Sequence, residues 1–255
     1  MNAVFPLRFL LSVLKEATDW AGKLQIRLTL PLRNCYFAMN KPDIAAILRE
    51  KLKGELPGES SHLKMIPFER RTKIRFEPQS ALPKASSVLL LLYPVQGDAL
   101  PGTVLIKRVI DNGVHSGQIS FPGGRQDDTD VSAIHTALRE AKEEIGLNSS
   151  RLEVLGTLSP LYVSPSNYLI QPVVAFSCDP GQLVPNPSEA EYLIHLPLQN
   201  LESFRTEVDL EVRGFTLRNV PCFATNGQII WGATAMILQE LIDILRDTGN
   251  PDHMP

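Results

Sequence analysis

The chain has 255 residues, 44% of them hydrophobic and 21% charged, with a formal net charge of −3. That size suits one large domain or one domain with appendages, and the slight acidity leaves no general basic field for nucleic acid. No stretch approaches the ~20 consecutive apolar residues of a membrane span, so no membrane partner is expected.

Residues 1–38 alternate apolar and basic residues without a settled period. The run Val4 to Leu14 is broken by Arg8 and followed by no small-residue cleavage site, which argues against a signal peptide. Met39-Asn40-Lys41-Pro42 reads like a fresh start, so residues 1–38 are expected to be an extension. A short helix is expected from Pro42, with Ile44, Ile47, Leu48 and Leu52 at helical spacing, broken by Pro57 and Gly58. The basic run Glu69 to Arg75 reads as a solvated connector. Residues 39–85 are thus an N-terminal helix and connector, residues 86–246 the compact domain, and residues 247–255 a tail. The three widely spaced cysteines, Cys35, Cys178 and Cys222, include no CxxC pair and are expected to be unpaired thiols in a cytoplasmic protein.

Strands are expected at Ser87 to Tyr93 and Thr103 to Lys107, with a further short one at Gln118 to Phe121. A helix from Val131 to Ile145 follows, then strands at Leu152 to Leu158 and Ile170 to Phe176. Asn186 to Pro197 reads as a loop with an acidic turn at Glu189-Ala190-Glu191. Ile229 to Trp231 is a strand end, and Thr234 to Leu245 a closing amphipathic helix. The order predicts an α/β protein with a mixed β-sheet covered on both faces.

The run Phe121-Pro122-Gly123-Gly124, followed by Arg139 to Leu147, carries the chemistry. At about 100° per residue, Ile134, Leu138, Ala141 and Ile145 fall within about 60° and form the expected buried stripe. Glu140 and Glu144 are neighbours off that stripe, and Glu143 lies beside Glu140 on the polar side. Asp130 is expected to cap the helix start and Gly146 its end. Clustered like charges cost helix stability. Arg139 can pair with Glu143 at i,i+4, which leaves Glu140 and Glu144 to be neutralised by a hard, oxygen-preferring cation such as Mg²⁺ or Mn²⁺. The two adjacent glycines allow close backbone approach just before this helix. Metal beside such a loop suits a substrate carrying phosphate.

Gly124, five residues, Asp130, eight residues, then REAKEEIGL resembles the Nudix box, whose usual form is G-x5-E-x7-REUxEExGU with U aliphatic. Asp130 stands where Glu is usual, and the spacer before Arg139 is one residue longer. Val104-Leu105-Ile106-Lys107-Arg108, Gly117, the FPGG run and Asp127 to Asp130 look like the coenzyme A pyrophosphatase branch of that family. The branch usually has Ser and Arg where this chain has Val109 and Gly113.

The resemblance implies a Nudix-type α/β/α sandwich and Mg²⁺- or Mn²⁺-dependent hydrolysis of the pyrophosphate of coenzyme A or acyl-CoA, giving 3′,5′-ADP and (acyl-)4′-phosphopantetheine. Glu140 and Glu144 would be metal ligands, with Glu143 as a third ligand or supporting partner and the Gly124 carbonyl as a further oxygen. Arg139 would hold Glu143, and Glu143 is the candidate base, with Glu189 and Glu191 as runners-up. Arg108, His115 and Gly123 are the candidate substrate contacts. The box alone does not choose between coenzyme A and other nucleoside diphosphate derivatives such as ADP-ribose or NADH. A silent nucleotide-binding regulator is the reading from another class, and a homodimer is left open.

Overall fold

The computed structural model describes residues 44–71, 82–96, 98, 100–110, 115–212 and 214–246. The expectations for residues 1–38, for Met39 and for the tail 247–255 lie outside the described residues.

Four helices and eleven strands are described: α1 (Ile44–Lys51), α2 (Glu59–His62), β1 (Lys84–Tyr93), β2 (Gly102–Arg108), β3 (Ile119–Ser120), β4 (Gly123–Arg125), α3 (Ala133–Ile145), β5 (Glu153–Thr157), β6 (Leu161–Val163), β7 (Tyr168–Phe176), β8 (Ala190–Pro197), β9 (Arg205–Val212), β10 (Phe215–Thr225), β11 (Gln228–Ile230) and α4 (Gly232–Arg246). Strands β1 to β8 form one mixed sheet, and β9 to β11 a separate antiparallel one.

The centre of the main sheet is β1 beside β7, parallel from Lys84 opposite Tyr168 to Leu92 opposite Phe176. Their near-continuous apolar runs suit strands buried on both faces. The other edge of β1 is divided. β2 holds its end, with Leu92 opposite Thr103, while β4 holds its start, with Val88 opposite Gly123 and Ser86 opposite Arg125. This fork sets Gly123 and Gly124 into the sheet itself. On one face Leu89, Leu91, Val104, Ile106, Val173 and Ala175 meet Ala137, Ala141 and Ile145 of α3 in a closed core. Leu90 and Leu92, which alternate with them, are equally buried toward the other face.

Helix α3 begins at Ala133, not Val131, because Ser132 supplies the cap by accepting from the His135 amide at 3.1 Å. Asp130 is therefore not the cap; its carboxylate is turned to Arg139. Gly146 ends the helix with φ of 67°, as the left-handed C-cap requires. The buried stripe is rotated from the expected one: Ile134 is exposed at 36%, and Ala137, Ala141, Glu144 and Ile145 face inward. The rotation follows from β4, which flanks the helix in addition to the core beneath it.

The acidic loop expected over Asn186 to Pro197 is a strand for most of its length. β2 leaves β1 early, and its free edge needs backbone partners, which β8 supplies from Ala190 to Pro197. The β9–β10 hairpin escaped the sequence reading, although Val208, Leu210 and Val212 alternate there with Glu207, Asp209 and Glu211. Cys222 is a free, buried cysteine, as expected. Among the described residues no helix is long and apolar enough to cross a membrane.

Candidate active site

Three carboxylates converge beside the glycine pair: the ligand oxygens of Glu140, Glu144 and Glu189 lie within 4.8 Å of one another. Glu140 and Glu144 are one helical turn apart on α3. Glu189 arrives from the segment before β8, which is stitched to the end of the helix. The Val184 amide donates to the Ile145 carbonyl at 3.0 Å, and the Asn186 amide to the Glu144 carbonyl at 2.8 Å. These bonds satisfy carbonyls of the last turn that have no partner within the helix. The Asn186 side chain then accepts from the Ser188 amide and donates to Glu189 Oε1 at 3.4 Å. The Val109 amide fixes the Glu189 carbonyl at 3.2 Å.

Glu144 is 1% exposed. Its Oε2 accepts from the Gly123 amide at 2.8 Å and its Oε1 from Arg108 Nη1 at 3.0 Å. Burial nevertheless dominates and raises its carboxyl to about 7, with Glu189 and Glu140 pushing the same way. Glu140 is raised as well, again chiefly by burial, against the opposing pull of Arg139. Two of the three carboxylates therefore hold their charge at a cost. Three clustered carboxylates, hard oxygen donors of which Glu140 and Glu144 resist ionisation, fit Mg²⁺ or Mn²⁺.

Gly123 is sterically required by neighbouring backbone, whereas Gly124 is pressed only by a flexible side chain. A Cβ on Gly124 would stand 2.5 Å from the carboxyl carbon of Glu140, and one on Gly123, whose φ is 154°, would stand 2.3 Å from the Ser87 carbonyl oxygen. Gly124 thus lets the backbone lie directly against a candidate metal ligand.

Arg139 does more than hold Glu143. Its Nη1 reaches Glu143 Oε2 at 3.1 Å and Glu140 Oε1 at 2.9 Å. Its Nε and Nη2 grip both oxygens of Asp130 at 3.1 and 2.8 Å, and Nη2 also donates to the Arg125 carbonyl at 3.1 Å. The Asp130 carboxylate is fully buried, and the Arg139 hydrogen bonds hold it well below the usual carboxylate range. Arg139 therefore ties the loop after β4 to the carboxylate helix. Glu143 is half exposed and lies outside the three-carboxylate group, while Glu189, a runner-up on sequence, lies inside it. Glu191 is exposed on β8.

Arg108, His115, Gly123 and Gly124 all line one cavity of about 750 Å³. His115 Nδ1 shares a hydrogen bond with Gln118 Oε1 at 3.0 Å, and Arg108 is turned onto Glu144. The cavity's other wall comes from Met65, Ile66 and Pro67 and from Phe215, Leu217 and Val220 of β10. That wall is pinned to α4. The fully buried Glu240 accepts from His62 Nε2 at 3.0 Å, from the Ser159 amide at 3.1 Å and from the Gly58 amide at 3.3 Å. Lys64 pairs with Asp243 at 2.9 Å. Sequence reasoning missed this wall; the apolar alternation of β9 could have revealed part of it, and nothing local marks residues 65–67.

The profile of the NUDIX domain matches residues 83–211, half of the chain. The chain belongs to the Nudix family. It is 36% identical over 170 residues to the mitochondrial coenzyme A diphosphatase NUDT8 of Homo sapiens, a match spanning 65% of this chain and 71% of that protein. It is 35% identical over 152 residues to NudL of Pectobacterium atrosepticum, an uncharacterized Nudix hydrolase, spanning 59% of this chain and 79% of that one. NudL of Escherichia coli K12 matches at 39% over 155 residues, with 59% and 79% covered. Within the Nudix box, the two departures at Asp130 and its longer spacer are absorbed structurally. Most of the spacer is the first part of α3, and across it Arg139 still grips Asp130 and the Arg125 carbonyl.

Proposed function

We propose that this Nudix hydrolase cleaves the pyrophosphate of coenzyme A or its thioesters, giving 3′,5′-ADP and 4′-phosphopantetheine or its acyl form. The observation that carries the reading is the convergence of Glu140, Glu144 and Glu189 against the Gly123–Gly124 strand, at one end of a cavity whose other wall is apolar. A diphosphate flanked by a nucleotide and a long, largely uncharged arm matches both features. The named activity of the human relative supports the same substrate.

Mg²⁺ or Mn²⁺, held by Glu140 and Glu144 with the Gly124 carbonyl as a further donor, would polarise the diphosphate and acidify a water beside Glu189. Each residue has a separate task. Arg108 partly neutralises Glu144 from the cavity side and reaches the region where the diphosphate would lie. The Gly123 amide fixes the second Glu144 oxygen, so the carboxylate cannot rotate. Arg139 locks Glu140 and the preceding loop into one register. Glu189 is the best-placed base: it stands within the carboxylate group on a loop anchored at both ends, whereas Glu143 is engaged by Arg139. In the reaction the water oxygen bonds to one phosphorus and the bridging P–O bond breaks. The proton passes to the carboxylate, and the second phosphate leaves with the bond pair.

The test is incubation of the full chain with coenzyme A and Mg²⁺ or Mn²⁺, with the products weighed by mass spectrometry. The expected products are 3′,5′-ADP and 4′-phosphopantetheine. Faster cleavage of ADP-ribose or NADH than of coenzyme A would overturn the substrate assignment, and no turnover of any of them with either metal would overturn the enzymatic one.

A further inference from the structure

The cavity holds two cations for which the carboxylate chemistry has no use. Arg70, from the short turn Phe68–Arg70, and Arg125, the last residue of β4, both line it. Among the described residues neither side chain has a hydrogen-bond or ion-pair partner. The contrast with the neighbouring cations is sharp. Arg108 is bound to Glu144, Arg139 to Asp130, Glu140 and Glu143, and Lys107 to the Gly117 carbonyl. In a chain with net charge −3, two arginines without a partner among the described residues line this one cavity.

Their placement separates them from the metal group. Alternate residues of a strand face opposite ways. The Cβ direction of Gly124 runs into Glu140, so Arg125 leaves β4 on the other face. There it lies across from Ser86, its partner on β1. Arg70 comes from the opposite wall, held by the anchoring of His62 to Glu240 and of Lys64 to Asp243. Two chain segments far apart in sequence thus each contribute an arginine to the lining of the same cavity.

We propose that Arg70 and Arg125 form a second anion subsite that takes the 3′-phosphomonoester on the ribose of the substrate. A phosphomonoester carries close to two charges at neutral pH because its second pKa is about 6, and it offers three acceptor oxygens. Two planar guanidinium groups match that charge and geometry. The diphosphate itself belongs with the metal and Arg108, so the additional cations answer to an additional anion. The subsite would make this Nudix hydrolase select 3′-phosphorylated nucleotides over ADP-ribose or NADH, which lack that group. This inference rests on the coenzyme A reading for the identity of the cleaved substrate, but the phosphate preference can be measured without turnover.

Two experiments test it. The first compares kcat/KM for coenzyme A and for dephospho-coenzyme A in the wild type and in Arg70→Gln, Arg125→Gln and the double variant. The wild type is expected to favour coenzyme A by roughly tenfold or more, mostly through KM, and the double variant to lose that preference. The second titrates the protein without added metal with adenosine 3′,5′-bisphosphate and with AMP in a calorimeter. The bisphosphate is expected to bind about tenfold tighter to the wild type, and no tighter than AMP to the double variant. Equal affinities in the wild type, or a preference that survives both substitutions, overturns the subsite and returns both arginines to solvated surface. If coenzyme A is not cleaved but the arginine-dependent bisphosphate preference holds, the substrate reading fails and the subsite stands. Both side chains are exposed, so the variants are expected to fold, and circular dichroism checks this.

Discussion

The two walls of the cavity are built by different rules. On the catalytic side, β4, α3 and the segment before β8 lie close in space, with two of the three carboxylates only four residues apart. Their geometry is set by short-range devices: a glycine pair, a helix turn, a C-cap and an Asx turn. On the opposite side, residues 58–70 and β10 are joined through α4, nearly the length of the described chain away. A single buried carboxylate, Glu240, anchors residues 58–62 to α4 by accepting from Gly58 and His62 there and from Ser159 elsewhere. Two of the three carboxylates are thus encoded locally, while the third and the opposite wall depend on long-range packing.

The largest way to break this comparison is Glu144→Gln. Turnover at saturating metal is expected to fall by roughly a thousandfold, since removing metal charge stabilisation costs several kcal/mol. Stability should move the other way. The folded-state pKa of about 7 exceeds the ordinary value of 4.5, so Glu144 favours the folded state only when protonated. Its contribution is lost as pH rises from about 4.5 through 7. Thermal melts of the protein without added metal at pH 8 should therefore show the variant more stable by roughly 2–6 °C, with the difference gone near pH 4. A lower melting temperature for the variant at pH 8 would contradict this electrostatic picture.

The far wall is tested by Glu240→Ala. It leaves two amides and a buried imidazole without their shared acceptor, and should cost about 2–4 kcal/mol in urea titration. In protein that remains folded, KM should rise while kcat changes little, because the carboxylate group is anchored elsewhere. A fall confined to kcat would place Glu240 in the chemistry.

The smallest effect sharpens the contrast from the catalytic side. Gly124→Ala puts a methyl group against the movable carboxylate of Glu140 with no positive φ to strain, so the melting temperature should shift by under about 2 °C. Activity should nevertheless drop by about 10- to 100-fold, as expected when a reacting group is displaced by an ångström or less. Unchanged kcat/KM would remove Glu140 from the reacting centre.

Much of the catalytic wall was legible in the chain. The two glycines, the helix, Gly146 and the pair Glu140 and Glu144 stand where spacing put them. Asp130 and Ser132, three residues and one residue ahead of the helix, look equally suitable as caps in the sequence; only the reach of Arg139 decides between them. Glu143 and Glu189 illustrate the same limit. On a helical wheel Glu143 is the natural third carboxylate, but Arg139 draws it aside and Asn186 delivers Glu189 in its place. Strand β8 was hidden because its pattern is irregular, and its identity follows from the open edge of β2.

What the sequence determined by itself is the family, the central helix with its two neighbouring carboxylates, and the glycine pair ahead of it. Each follows from spacings shorter than one helix and its entry loop, where backbone periodicity fixes geometry. What only the tertiary structure decided is which acid completes the group, what Arg139 holds, and how Arg70 and Arg125 come to share one cavity. Those outcomes depend on contacts between segments tens of residues apart, formed by edge pairing and burial, for which no local pattern carries a signal.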